Sequence, residues 1–315
     1  MWYRLPQDYR AVGSRDDGGS PAPGNREDGP SYLWAGMGNN LTSEQLTNLE
    51  QLERLGPKPG MTTVAAGFLM LIDPQDDLDR QFQLGTFDWA LEELIKQRVH
   101  SGDTCIDIGA QKGYVSLLLG RAVGERGRVL AFEPDPRARE QLSLHAECNH
   151  QAIEVFETAL GNSEGVCQFT LSKVSGWSSR FPNQFAQSAI AEVVSVPLSS
   201  LDALLDHAAV KIDPMNLSFI KIDAEGSEPL ILEGMRNLLH VADPTIYMEL
   251  NYASLAAAGQ PVDSLQSLIE GLGYSIYLAE QRPDSRSITL KPWQQRLSLN
   301  PPNTLLDVVL EKRGF

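Results

Sequence analysis

Apolar and polar positions along the chain fall into short β-branched runs separated by stretches of helical period. Thr104–Ile108 is a five-residue apolar run interrupted only by Asp107, as expected of a strand buried on both faces. Val115, Leu118, Leu119, Ala122 and Val123 then recur at helical spacing until Gly124 and Gly127, which end a helix. The pattern repeats. Val129–Pro134 reads as a second strand ending on an acid, Pro136–Asn149 as a helix with proline in its first turn, and Ile153–Thr158 as a third strand. Val166–Leu171 and Glu192–Val196 alternate as the arms of a β-hairpin. A short helix at Leu201–Leu205 precedes a fourth strand, Leu217–Asp223. Ser227 and Pro229 then open a helix buried through Leu230, Ile231, Met235, Leu238 and Leu239. Thr245–Asn251, a helix at Val262–Gly271, Tyr274–Ala279 and Leu305–Glu311 complete the series.

Strands and helices that alternate in this way predict an α/β fold with a doubly wound, mostly parallel sheet. Upstream, Thr42 or Ser43 caps a helix running to Leu55. Met61–Ile72 reads as a strand or buried segment, Asp73–Asp77 as an acidic loop, and Phe87–Val99 as a helix. Residues 7–40 are rich in Gly, Pro, Ser, Asp and Arg without apolar periodicity. The expected organisation is a flexible leader over 1–40, a helical capping segment over 41–100, and a cofactor-binding domain over 101–315.

Charge narrows the set of partners. The 315 residues carry a formal net charge of −15, which argues against non-specific binding to nucleic acid or an anionic membrane. Three scattered cysteines, Cys105, Cys148 and Cys167, suggest neither a disulfide framework nor a zinc site. The first residues lack an apolar run, and Met61–Ile72 is too short to span a bilayer. A cytoplasmic location is expected.

Candidate chemistry gathers at the ends of the strands. Gly109 and Gly113 bracket a turn directly after the first strand, with Asp107 just before it, and Glu133 lies 20 positions after Gly113 at the end of the second strand. That is the geometry for holding a nucleoside with a free ribose diol. A pyrophosphate would be repelled by the carboxylate beside the turn, whereas a sulfonium and an amino group would suit it. S-adenosylmethionine is the expected ligand, and the alternative is a purely structural turn. Asp107, Glu133, Asp223, Glu249 and Asn251 all fall at strand ends, where open α/β sheets bind their ligands. Between the hairpin arms, the long loop Lys173–Gln187 holds Trp177, Ser178, Ser179, Arg180, Phe181 and Phe185, and such loops often carry function.

From about Ile72 to Tyr252 the sequence resembles the FkbM-type S-adenosylmethionine-dependent methyltransferases. The residues that carry this are Asp107–Ser116, Phe132-Glu133-Pro134, Val194–Asp202 and Phe219–Glu228. The last segment is similar to the family's I-K-I-D-V-E-G-A-E signature, with Ala224 for Val and Ser227 for Ala. Gln111 stands where the family usually has Asn, and Lys112 where it has an apolar residue. The resemblance implies a class I methyltransferase fold, Rossmann-like, with a seven-stranded sheet whose last strand runs antiparallel. Leu305–Glu311 would then be the inserted edge of a hairpin with Tyr274–Ala279. It also implies O-methylation of a hydroxyl on a small molecule, a sugar or secondary metabolite.

The implied cofactor residues are Asp107, Gly109, Ala110, Gly113, Tyr114, Glu133, Pro134 and Asp223, with Leu160 and the Ala159–Asn162 turn flanking the adenine. Asp223 is the first candidate base, followed by Glu225, Glu228 and Glu249. Asp223, Glu249 and Asn251 could instead hold magnesium, as catechol-type methyltransferases do. The five histidines lie away from the strand tips and read as surface or capping residues. Three further questions stay open: a nicotinamide-dependent oxidoreductase, a non-catalytic binding module, and assembly as a homodimer.

Overall fold

The computed structural model describes residues 58–183, 187, 189–281, 287–301 and 304–312. The expected leader, the helix from Thr42 or Ser43 to Leu55, and Phe185 lie outside them.

In chain order, a hairpin of β1 (Gly60–Thr63) and β2 (Leu69–Ile72) leads to α1 (Asp77–Leu84) and α2 (Trp89–Arg98). Then come β3 (Thr104–Ile108), α3 (Tyr114–Val123), β4 (Arg128–Phe132), α4 (Pro136–Cys148), β5 (Ile153–Phe156) and the two-residue β6 (Ala159–Leu160). The second hairpin is β7 (Gly165–Ser172) with β8 (Ile190–Ser199), followed by α5 (Leu201–Asp206) and β9 (Leu217–Ile222). The rest is α6 (Glu228–Gly234), α7 (Arg236–Val241), β10 (Thr245–Asn251), α8 (Tyr252–Ala257), α9 (Val262–Gly271), β11 (Tyr274–Gln281), β12 (Ile288–Pro292) and β13 (Leu305–Lys312). Among the described residues, no helix is long and apolar enough to cross a membrane.

The main sheet has the order β12-β11-β13-β10-β9-β3-β4-β5. Strands β5, β4, β3, β9 and β10 run parallel, and β13 is antiparallel to both β10 and β11. This is the class I methyltransferase sheet with one addition. β12 pairs with β11 and takes the edge from it, while β13 is inserted between β11 and β10. A three-stranded sheet, β6-β8-β7, stands beside it. Ala159–Leu160, read as part of a turn, is therefore a strand that pairs with Leu198 and Ser199.

Alternation along each strand divides the core in two. Ile106, Ile108, Leu130, Phe132, Ile220, Ile222, Ile246 and Met248 face α6, α7 and α9. Cys105, Val129, Phe219, Tyr247 and Val309 face α3 and the N-terminal elements, which contribute Phe68, Phe82, Leu91 and Leu94. Asp107, Lys221, Asp223, Glu249 and Asp307 share the parity of this second face, so its upper end is polar.

The N-terminal elements are tied to the glycine turn by a buried ion pair. Lys112 is 8 % exposed and Asp79 1 %; Nζ donates to Asp79 Oδ1 at 2.7 Å, with Asp76 Oδ2 at 3.9 Å. A lysine at this usually apolar place therefore turns away from the cleft and into α1. His145 reinforces the join. Its Nε2 accepts from the Leu71 N–H at 2.9 Å, so Nδ1 carries the proton and donates to the Lys112 carbonyl at 2.7 Å. Buried and neutral, His145 is neither a surface residue nor a helix cap.

Removing one partner of such a pair leaves an uncompensated buried charge, which costs about 3–5 kcal/mol. Lys112→Met is expected to destabilise the fold by that order in denaturant unfolding. Lys112→Met with Asp79→Asn should recover most of it. Equal instability of the single and double variants would show that the pair is not what holds the join.

Candidate functional site

The turn between β3 and α3 is built so that its own amides are all engaged. The N–H groups of Gly109 and Ala110 donate to the Phe132 carbonyl at 2.9 and 3.2 Å. Gln111 N–H donates to Glu133 Oε2 at 2.7 Å, Lys112 N–H to Gln111 Oε1 at 2.6 Å, and Gly113 N–H to the Ala110 carbonyl at 2.8 Å. A pyrophosphate needs such donors free. This turn offers none from 109 to 113, which argues against a pyrophosphate seated on it. Gly109 is required by position as well as by conformation: φ is +74°, and a Cβ there would lie 1.8 Å from the Asp223 carbonyl oxygen. Gln111 also sits in the left-handed region, at φ +50°, which asparagine tolerates better than most residues.

Glu133 is 5 % exposed. Oε2 takes the Gln111 N–H, and Oε1 takes the Asp135 N–H at 2.8 Å. Each oxygen keeps a further lone pair, which is what two vicinal hydroxyls need. Burial pushes the Glu133 carboxyl up to about 7, against the pull of those two N–H groups. Pro134, Leu160 and Ala110 are buried around this point.

Asp107 and Tyr114 do not lie where a direct grip requires. Asp107 is fully buried; Ser116 Oγ donates to Oδ2 at 2.6 Å, and Oδ1 lies 3.8 Å from Lys221 Nζ with no hydrogen-bond partner. Burial holds its carboxyl above the usual range despite Lys221. It organises the floor of the turn. The Tyr114 ring stacks on Phe82 at 4.3 Å, and its hydroxyl donates to Glu92, so its side chain belongs to the core.

Lys221 went unassigned although it stands inside the family signature. It is the register partner of Asp107. Nζ donates to the Gly109 carbonyl at 2.9 Å and pairs with Asp223 Oδ2 at 3.2 Å. Burial works against its charge, but Asp223 and Asp107 outweigh burial and raise its pKa.

Above Lys221 lies a row of acids. Asp223, Glu225 and Glu249 are half-buried, and one oxygen from each lies within 4.8 Å of the others. Asp307 is the register partner of Glu249 on β13, and Asp88 from the N-terminal segment accepts from the Tyr247 hydroxyl. Neither Asp307 nor Asp88 carries a signal in the sequence, because only strand register and tertiary packing bring them here. Burial, then Asp223, Asp307 and Glu225, hold the Glu249 carboxyl well above the usual range.

Glu225 Oε2 accepts from Asn251 Nδ2 at 2.9 Å and Ser254 Oγ at 2.6 Å. Burial, with Asp223 and Glu228 nearby, pushes its carboxyl up to about 8. Asn251 thus reaches the acids through its amide nitrogen, while its Oδ1 caps α8 by accepting from the Ser254 N–H at 3.2 Å. The mutually close carboxylates are Asp223, Glu225 and Glu249, so Glu225 joins the Asp223 and Glu249 expected at this place. Glu228 is 1 % exposed and accepts from the Ala224 and Gly226 N–H groups at 3.0 Å each. It staples the turn after β9 and is not available as a base. Ser227 makes no side-chain cap.

These acids set the pH dependence of stability. Glu133, Glu225 and Glu228 are held at about 7, 8 and 7 in the fold, against an unfolded value of about 4.3. Between those limits the folded state binds more protons than the unfolded state, so stability falls as pH rises. The thermal midpoint is expected to drop from about pH 5.5 to about pH 8.5, and Glu225→Gln should flatten the slope. A midpoint that climbs over this window would contradict the assignment.

Comparison with known proteins agrees with this geometry. The family model described as "Methyltransferase FkbM domain" matches residues 107–276, more than half the chain. A curated relative from Sulfolobus acidocaldarius is described as a probable cobalt-precorrin-6B C(15)-methyltransferase (decarboxylating). It is 30 % identical over 151 residues, covering 45 % of this chain and 74 % of the relative. Two solved structures are similar at low identity. The methyltransferase FkbM from Methylobacillus flagellatus KT is 14 % identical with a TM-score of 0.38, over 84 % of this chain and 58 % of that one. An O-methyltransferase from Bacillus cereus, solved in complex with SAH, is 14 % identical with a TM-score of 0.40, over 90 % and 96 %. At those values the structural likenesses carry no functional weight. The family match spans the glycine turn, Glu133 and the acidic row after β9: the chain belongs to the methyltransferase FkbM domain family and is a methyltransferase.

Proposed function

We propose that the chain transfers a methyl group from S-adenosylmethionine to a hydroxyl of a small molecule, of the sugar or secondary-metabolite class. The observation that carries the donor assignment is the turn whose amides at 109–113 are all engaged, next to a carboxylate poised for a diol. When bound, S-adenosylmethionine supplies a methyl group on a cationic sulfur. Glu133 holds the ribose hydroxyls. Gly109, Ala110 and Gly113 let the ligand approach the backbone, and Asp223, just beyond β9, favours a positive charge.

The acceptor hydroxyl must be aligned opposite the sulfur, shielded from water and relieved of its proton. Burial and the neighbouring acids push the Glu225 carboxyl up to about 8 and hold that of Glu249 well above the usual range. Asp223 has an ammonium partner in Lys221 and is the carboxylate we assign to receive the proton.

A second reading is favoured by the mutual distance of Asp223, Glu225 and Glu249. Three carboxylate oxygens that close suit magnesium, which would hold the acceptor oxygen as in catechol-type enzymes. The test is an assay with methyl-labelled S-adenosylmethionine and a panel of sugars and small alcohols. Label on oxygen, with activity unchanged by EDTA, is the expected result. Activity abolished by EDTA and restored by magnesium, together with a magnesium-induced rise in thermal midpoint, would favour the metal reading. Label on carbon or nitrogen would overturn O-methylation.

A further inference from the structure

Residues 173–183, which follow β7, cross the carboxyl ends of four neighbouring sheet strands and are bonded to each. Ser175 Oγ accepts from Gln111 Nε2 at 3.0 Å, beyond β3. Ser178 Oγ donates to Asp135 Oδ2 at 2.8 Å, beyond β4. Ser179 Oγ donates to the Glu225 carbonyl at 2.8 Å, beyond β9, and Asn183 Nδ2 donates to Ser254 Oγ at 2.9 Å, beyond β10. The segment is a strap over the rim where the nucleoside is placed.

Two of these anchors coincide with something else. Gln111 and Asp135 are the two residues whose backbone N–H groups grip Glu133, one on each carboxylate oxygen. Each therefore holds Glu133 with its main chain and the strap with its side chain. Gln111 does so from a left-handed conformation, and a shorter asparagine, usual at this place in the family, would not span the same distance. Asp135 is also fixed by Arg137, whose Nε and Nη2 donate at 3.0 and 2.7 Å. The Gln111 side is accordingly the more dependent on the strap.

We propose that Ser175 and Ser178 are positioning residues for the nucleoside: through Gln111 and Asp135 they fix the direction in which Glu133 presents its oxygens. The proposal rests on the reading of Glu133 as the ribose clamp. It makes residues 173–183 part of the cofactor site.

The test has two arms. Amide hydrogen exchange needs no ligand. In Ser175→Ala/Ser178→Ala, the N–H groups of Gln111 and Asp135 are expected to exchange about tenfold faster, as for the loss of a local hydrogen bond, while the β3 and β4 amides stay protected. Unchanged exchange at both positions overturns the coupling whatever the ligand is. The second arm is calorimetric titration of S-adenosylhomocysteine into the parent protein, the serine double variant, Glu133→Gln and the triple variant. The serine pair should weaken binding about fivefold, equivalent to about one hydrogen bond. The triple variant should bind no more weakly than Glu133→Gln alone, because residues acting through one group are not additive. Full additivity, or a serine variant that binds like the parent, overturns the proposal. A parent protein that shows no binding, with the exchange result as expected, would defeat the assignment of Glu133 to a ribose and leave the coupling standing.

Discussion

Glu133→Gln will weaken S-adenosylmethionine binding by about 10- to 100-fold, and Glu133→Ala by more. The carboxylate is fixed by one N–H on each oxygen, so its remaining lone pairs have a defined direction. A hydrogen bond to a charged acceptor contributes about 1.5–3 kcal/mol, and each 1.4 kcal/mol is tenfold in affinity. In glutamine, the amide nitrogen must face either the Gln111 or the Asp135 N–H, donor against donor. Some loss of stability is therefore expected too, and thermal unfolding should accompany the titration. A second signature separates the two effects. Because burial places the Glu133 carboxyl at about 7, affinity in the parent should rise as pH passes upward through that value, when the ionised acceptor becomes dominant. The same titration in Glu133→Gln should be much flatter. An affinity within twofold of the parent, or an unchanged pH profile, would take Glu133 out of the site.

Asp223→Asn is expected to lower kcat by about 10²–10⁴, the usual worth of a positioned base, with cofactor affinity altered only a few-fold. The substitution conserves shape and sits at a half-buried position. Lys221 keeps its bond to the Gly109 carbonyl and its proximity to Asp107, so the turn beneath should persist. Single-turnover kinetics with bound cofactor would measure the chemical step directly. Undiminished kcat would remove Asp223 from the role and shift attention to Glu249, whose carboxyl is held well above the usual range by burial and the acids around it.

The strand series and the parallel character of the sheet could be read from the sequence because the central strands are short apolar runs separated by stretches of helical period. Non-local relations could not. The lysine at 112 looks like a departure near the cofactor until its partner, Asp79 on a helix 33 residues earlier, is in view. That helix, Asp77–Leu84, opens with an acidic run that reads as a loop; Asp76 caps it by accepting from the Leu78 and Asp79 N–H groups. The strand-end position of Asp107 suggested a direct contact, whereas alternation along β3 turns its side chain down beneath the turn, against Lys221 and Ser116. Asn251 reads as an oxygen ligand by position, and the structure adds a second task that position does not show: a strand that runs straight into a helix needs a cap, and its carbonyl oxygen supplies it. Asp307 joins the acids only because β13 pairs in register with β10, a relation that no local pattern encodes.

The most direct measurement is a crystal structure of the full chain with S-adenosylhomocysteine. Both ribose hydroxyls are expected within hydrogen-bond distance of the Glu133 carboxylate, with the nucleoside lying against Gly109 beneath residues 173–183. A nucleoside bound at another edge of the sheet, or a diol held by any group other than Glu133, would contradict this placement.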